Sequence, residues 1–174
     1  MSDLPAVVDI EWLQRELGAD DLVIGDVRGP NAHARGHIPG SRPLVLGSPP
    51  PMSDRTVLEP LASEVALRLR RHGVTGQERL VLYDRGDGVG AMPAAQMAEL
   101  AGHPSVAILL GGIAGWDGEL EEGAVELEHV REAEADLEPK PRALPTRQEL
   151  AGRGYGLTEV RILDLLILST EAAA

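Results

Sequence analysis

The segment Leu80–Ala91, LVLYDRGDGVGA, constrains this chain more than any other stretch. A short apolar run that suits a buried strand leads into a loop carrying Gly86, Gly88 and Gly90. A helix-compatible sequence begins directly after it. A strand that passes through such a loop into a helix is the repeating step of an open parallel sheet. In these sheets helices cover the faces and ligands meet the carboxyl ends of the strands.

The rest of the chain repeats the step. Asp9 is placed to cap a helix over Ile10–Leu17, with Gly18 as its stop. Leu22–Val27 is a compact apolar run, expected as a buried strand. Gly36–Ser41, GHIPGS, is turn chemistry, and Leu44–Leu46 is expected as a further short strand. Leu58, Leu61, Ala62, Val65, Ala66 and Leu69 form one apolar stripe at helical spacing, closed by Gly73. Arg79–Tyr83 reads as a strand and Met92–Leu100 as a helix with Pro93 in its first turn. Val106–Leu110 reads as a strand, and Ile113–Trp116 as the start of a short helical turn. Short strands without polar alternation imply burial on both faces. The expected fold is therefore an α/β domain over about residues 4–127, with a central parallel β-sheet flanked by helices in three layers.

Beyond this body the composition changes. Glu119–Glu138 holds nine acidic residues against Arg131 alone, and Pro139, Pro141 and Pro145 follow. Residues 128–145 are expected as a solvated, acidic and proline-rich linker. In the tail, residues 146–174, the apolar run Val160–Leu168 resembles an opening strand with no later partner, the pattern expected of a truncated second domain.

Composition removes several classes of function. A net charge of −12, with Lys140 as the only lysine, argues against nucleic acid and against a phosphate-binding loop built on lysine. Val160–Leu168 is interrupted by Arg161 and Asp164 and is too short to span a bilayer, so no membrane partner is expected. Met1–Ile10 has no signal-peptide pattern, and a cytoplasmic location is the expectation. The absence of cysteine excludes disulfides and thiolate metal sites. His33, His72, His103 and His129 lie in different segments and show no ligand spacing, so neither a metal nor a cofactor is expected.

The candidate site lies where strands end. Asp26, Arg28 and the loop Asp84, Arg85, Gly86, Asp87, Gly88, Val89 and Gly90 should gather on one rim. Glycines that leave N–H groups unobstructed, followed by the positive end of a helix, make a candidate anion nest. Asp84 and Asp87 would oppose an incoming anion, each by about 1 kcal/mol or more, and Arg85 offsets one of them at best. Asp26 and Arg28 suit a structural pair at a strand end, with substrate contact as the alternative. His37 suits one hydrogen bond that fixes the turn around Ile38-Pro39, with a general base as the alternative.

Five motifs occur in the order found in rhodanese domains: DVR at Asp26–Arg28, GHIPGS at Gly36–Ser41, LVLYDRGDGVGA at Leu80–Ala91, AGHPSV at Ala101–Val106 and LLGGIAGW at Leu109–Trp116. The chain resembles that family over about residues 4–127, which implies a rhodanese-like three-layer fold. The family transfers sulfane sulfur from thiosulfate or mercaptopyruvate to an acceptor such as cyanide, through a cysteine persulfide at the first loop position. The resemblance places Asp84 at that position. It places Val89 where a basic or hydroxyl residue is usual, Leu110 where an acidic residue is frequent, and His33 where an aromatic is common.

The chain resembles most the N-terminal domain of tandem rhodaneses, which commonly lacks the cysteine. A carboxylate is a weak nucleophile toward sulfane sulfur, so the resemblance implies a noncatalytic module of the thiosulfate/3-mercaptopyruvate sulfurtransferase family. Its implied partners are a catalytic rhodanese domain or a small sulfur anion. The alternative is a regulatory domain that uses the nest for a small anion or a partner.

Overall fold

The computed structural model describes residues 4–47, 55–124 and 137. The linker expected over residues 128–145 and the tail of residues 146–174 lie outside the described residues, Leu137 excepted. Five strands form one sheet: β1 (Val7–Val8), β2 (Leu22–Asp26), β3 (Arg42–Pro43), β4 (Arg79–Tyr83) and β5 (Val106–Leu109), in the order β1-β5-β4-β2-β3. All pairings are parallel. At the centre, β2 and β4 run in register from Leu22 opposite Arg79 to Asp26 opposite Tyr83, so both strands end at the same level.

Side-chain alternation along the strands builds two cores. Leu80, Leu82, Val106, Ile108 and Val23 face one side. There they pack against α3 (Arg55–Arg71) and α4 (Ala91–Leu100). Ile24, Val81, Tyr83, Ala107 and Leu109 face the other, against Leu13 of α1 (Ile10–Glu16) and Ile113 of a 3-10 turn (Gly112–Gly115). Helices on both faces make the three-layer α/β architecture expected from the non-alternating strands. Asp9 caps α1 as expected, its Oδ1 accepting from Trp12 N at 2.8 Å. The α3 stripe is buried at Ala62, Val65, Ala66 and Leu69.

Three differences from the sequence reading have local causes. The short strand expected at Leu44–Leu46 is not a strand: the pairing with β2 begins two residues earlier, at Arg42–Pro43. Leu44 N still donates to Asp26 O at 2.8 Å where that ladder ends, and Leu44 and Leu46 are buried as core residues. β1 and the five-residue helix α2 (Pro30–Ala34) are additional elements, too short to show a period. Leu137 belongs to the stretch expected to be solvated, yet it is 7% exposed and lies in the core that holds α3 and α4. Among the described residues, no helix is long and apolar enough to cross a membrane.

Candidate functional site

The parallel register brings the ends of β2 and β4 together, and two buried carboxylates mark that rim: Asp26 and Asp84. Each is the centre of a separate hydrogen-bond system.

Asp26 is fully buried. Its Oδ1 accepts from Arg28 N at 3.0 Å and Arg28 Nε at 2.9 Å. Its Oδ2 accepts from Arg28 NH2 at 2.6 Å, from the Tyr83 hydroxyl at 2.9 Å and from His33 Nδ1 at 3.1 Å. Burial pushes this carboxyl up, but the Arg28 and Tyr83 donors outweigh it and hold it below the usual carboxylate range. Arg28 spends its remaining reach on Gly36 O at 2.8 Å. With the Tyr83 proton directed at Asp26, Ser41 Oγ donates to the phenol oxygen at 3.0 Å and Ile38 N at 3.2 Å. Burial pushes the Tyr83 phenol up to about 12.

His37 is buried; its Nδ1 donates to His33 O at 2.9 Å and its Nε2 stands 3.6 Å from Glu121 Oε2. Its ring stacks on His33 at 3.7 Å between centroids. Its backbone also pairs with Glu121 through reciprocal 2.9 Å bonds. Burial pushes the His33 imidazole down, against the pull of Asp26, so the ring is held neutral. The His33–Asp26 contact was not foreseen, because a seven-residue separation across α2 carries no periodic signal. Asp26 and Arg28 thus join DVR to β4 through Tyr83 and to Gly36 of the GHIPGS turn, and His37 joins that turn to α2.

Asp84 opens the glycine loop and is 5% exposed. Its Oδ1 accepts from Gly86 N at 2.8 Å and from Gly88 N at 3.4 Å. Its Oδ2 accepts from Gly90 N at 2.9 Å and from Ala91 N at 3.0 Å, at the start of α4. Burial raises the Asp84 carboxyl, but the Ala91, Gly86, Gly90 and Gly88 donors hold it below its ordinary value. Four N–H groups of the loop and the helix start thus converge on the chain's own carboxylate. The second loop carboxylate, Asp87, turns back to accept from Val89 N at 3.2 Å. Arg85, Asp87 and Val89 point outward, Val89 being 74% exposed.

The cradle is braced from behind by the 3-10 turn after β5. Ile113 N donates to Asp84 O at 3.0 Å and Ala114 N to Arg85 O at 3.2 Å. The approach is so close that a Cβ at Gly112 would stand 2.6 Å from both Asp84 O and Gly86 N. Leu110, which precedes this turn, is 65% exposed. The chain has no cysteine, and no group of three potential metal ligands occurs among the described residues.

Comparison with known proteins places this geometry. The model of the rhodanese-like domain matches residues 9–119. The chain is 30% identical to a 3-mercaptopyruvate sulfurtransferase of Escherichia coli K12 across 96% of itself and 58% of that protein. It is 27% identical to a putative thiosulfate sulfurtransferase, SseB, of Mycobacterium tuberculosis H37Rv, across 92% of itself and 56% of the relative. The chain therefore spans little more than half the length of these relatives. Among solved structures, the crystal structure of SseA from Escherichia coli, described as a 3-mercaptopyruvate sulfotransferase with a rhodanese fold, superposes with a TM-score of 0.66. The identity is 27%, and the match covers 97% of this chain and 64% of that one. The five motifs and the loop lie within residues 9–119, and the chain belongs to the rhodanese-like domain family as a member without cysteine.

Proposed function

We propose that this chain is a noncatalytic rhodanese module of the kind that forms the N-terminal domain of tandem sulfurtransferases, and that it pairs with a cysteine-bearing rhodanese domain. The observation that carries the reading is Asp84: the residue at the head of the loop is a carboxylate with both oxygens engaged by backbone N–H groups. Sulfur transfer through a persulfide needs a thiolate, whose sulfur both attacks and leaves. A carboxylate that gives its lone pairs to four donors does neither.

Two further features support a structural role. Val89 and Leu110, both largely exposed, follow the ends of the neighbouring strands β4 and β5 and put apolar surface beside the loop. Such surface suits contact with another protein better than contact with a small charged substrate. The span of the match, 96% of this chain against 58% of the Escherichia coli relative, suits one half of a two-domain arrangement.

The test is twofold. The purified protein is incubated with thiosulfate or 3-mercaptopyruvate and cyanide, and thiocyanate is measured. Its intact mass is read after incubation without cyanide. The expected outcome is no thiocyanate above the uncatalysed rate and no added sulfur mass. Turnover that persists through repurification, or a stable sulfur adduct, removes the reading.

A further inference from the structure

We propose that the Asp84 side chain is a built-in ligand of the glycine loop: it closes the cradle to external oxyanions, and its removal opens a site for anions the size of sulfate or thiosulfate. The inference deepens the noncatalytic reading and rests on it for the identity of the loop. It asks a different question, whether the loop binds an anion at all.

The donors come first. Gly86 N, Gly88 N, Gly90 N and Ala91 N converge on one small volume, and the carboxylate in it takes two bonds on each oxygen. Gly90 and Ala91 begin α4, a helix of ten residues, so the peptide dipoles favour negative charge there. The neighbouring donor, Val89 N, is taken by Asp87. An external oxyanion would have to evict a carboxylate 95% withdrawn from solvent, or sit within a few ångströms of it. Like charges at that separation, away from bulk water, repel strongly.

The second point is that the loop has main-chain support besides the Asp84 side chain, with Met92 N donating to Gly88 O at 3.1 Å and Ala94 N to Gly90 O at 3.3 Å. The start of the loop is held from outside by Ile113 N on Asp84 O and Ala114 N on Arg85 O, main-chain bonds that do not use the side chain at position 84. A Cβ at Gly86 would meet Gly111 O at 2.5 Å, so the two backbones touch and hold each other in place. Deleting the carboxylate therefore leaves convergent, unpaired N–H groups at a helix start, and such a cavity takes up an anion.

The experiment compares the unaltered protein with Asp84→Ala and Asp84→Ser. Each is titrated with sulfate and with thiosulfate at ionic strength held constant with chloride. Tm and the amide NMR shifts of Gly86, Gly88, Gly90 and Ala91 are followed. The unaltered protein should show no saturable shift at these amides. The variants should melt lower in chloride, recover several degrees as sulfate or thiosulfate saturates, and bind these anions about tenfold or more tightly than the unaltered protein. Saturable binding at those four amides in the unaltered protein overturns the proposal, whether or not either variant folds. So does a folded variant that gains nothing over the unaltered protein. Thiocyanate production by the unaltered protein would remove the noncatalytic reading while leaving these titrations to decide the cradle's occupancy.

Discussion

Tyr83 donates its hydroxyl proton to Asp26 Oδ2 at 2.9 Å, across two residues that stand opposite each other on the central strands. The phenol oxygen in turn accepts from Ile38 N and Ser41 Oγ, so one hydroxyl ties β2, β4 and the GHIPGS turn together. This contact belongs to the architecture, for Asp26, Tyr83 and Ile38 are all fully buried.

Tyr83→Phe keeps the ring and removes the oxygen, leaving Ile38 N–H and the Ser41 hydroxyl without their acceptor and Asp26 one donor short. Unsatisfied buried groups of this kind cost about 1–3 kcal/mol, more where a charge is involved, so a loss of about 3 kcal/mol is expected. Urea denaturation should show a lower midpoint with an unchanged slope. A midpoint within error of the unaltered protein would mean the network carries no net stability.

How much of this was legible in the sequence differs between the backbone frame and the polar contacts. The strands β2, β4 and β5 and the helices α3 and α4 announced themselves through uninterrupted apolar runs and a helical stripe, because burial of both sheet faces leaves no room for polar residues. β1 and β3 are two residues each, shorter than any period, and Leu44 and Leu46 drew the strand expectation past the real pairing at Arg42–Pro43. At the site, the glycines at 86, 88 and 90 mark the loop whose N–H groups meet Asp84. The sequence reading nevertheless took Asp84 as a charge opposing an anion, whereas its side chain folds inward and is the anion. Spacing tells which groups can share a loop, and rotamers decide which of them face inward.

The bracing of the loop makes a sharp prediction at Gly112. Its φ is +49°, and an added Cβ would fall 2.6 Å from Asp84 O and Gly86 N, both backbone atoms that cannot swing aside. Gly88 also has a positive φ, +75°, but a Cβ there meets nothing within 4 Å. Gly88→Ala should therefore cost only the left-handed backbone penalty, about 1–2 kcal/mol. Gly112→Ala should cost that and the overpacking, about 3 kcal/mol or more together. Denaturant midpoints of the two variants measure the difference, and equal losses would show that the loop and the 3-10 turn do not touch as described.

Acid should unfold this protein through carboxylates bound by donors, Glu78 foremost. Its oxygens accept from Thr75 N at 2.7 Å, Thr75 Oγ1 at 2.9 Å and Gly76 N at 2.9 Å, and His103 stands 3.8 Å away. Burial raises this carboxyl, but His103 and the Thr75 donors outweigh it and bring it from 4.5 down to about 2. A carboxyl depressed in the folded state stabilises fully above its unfolded value, and that stabilisation is lost as pH falls toward the folded value. For Glu78 the window runs from about pH 5 to about pH 2 and the loss is about 3 kcal/mol. Asp26 and Asp84, also lowered, add to it in the same direction. His33 acts earlier: its imidazole is held neutral in the fold, so stability begins to fall once pH drops below its ordinary value of 6.5. Urea midpoints measured from pH 7 to pH 3 should decline in two stages, a shallow one below about 6.5 and a steeper one below about 5. Glu78→Gln should be less stable at pH 7 and lose less on acidification. A midpoint that stays level between pH 7 and pH 3 would show that these groups are no better satisfied in the fold than in the unfolded chain.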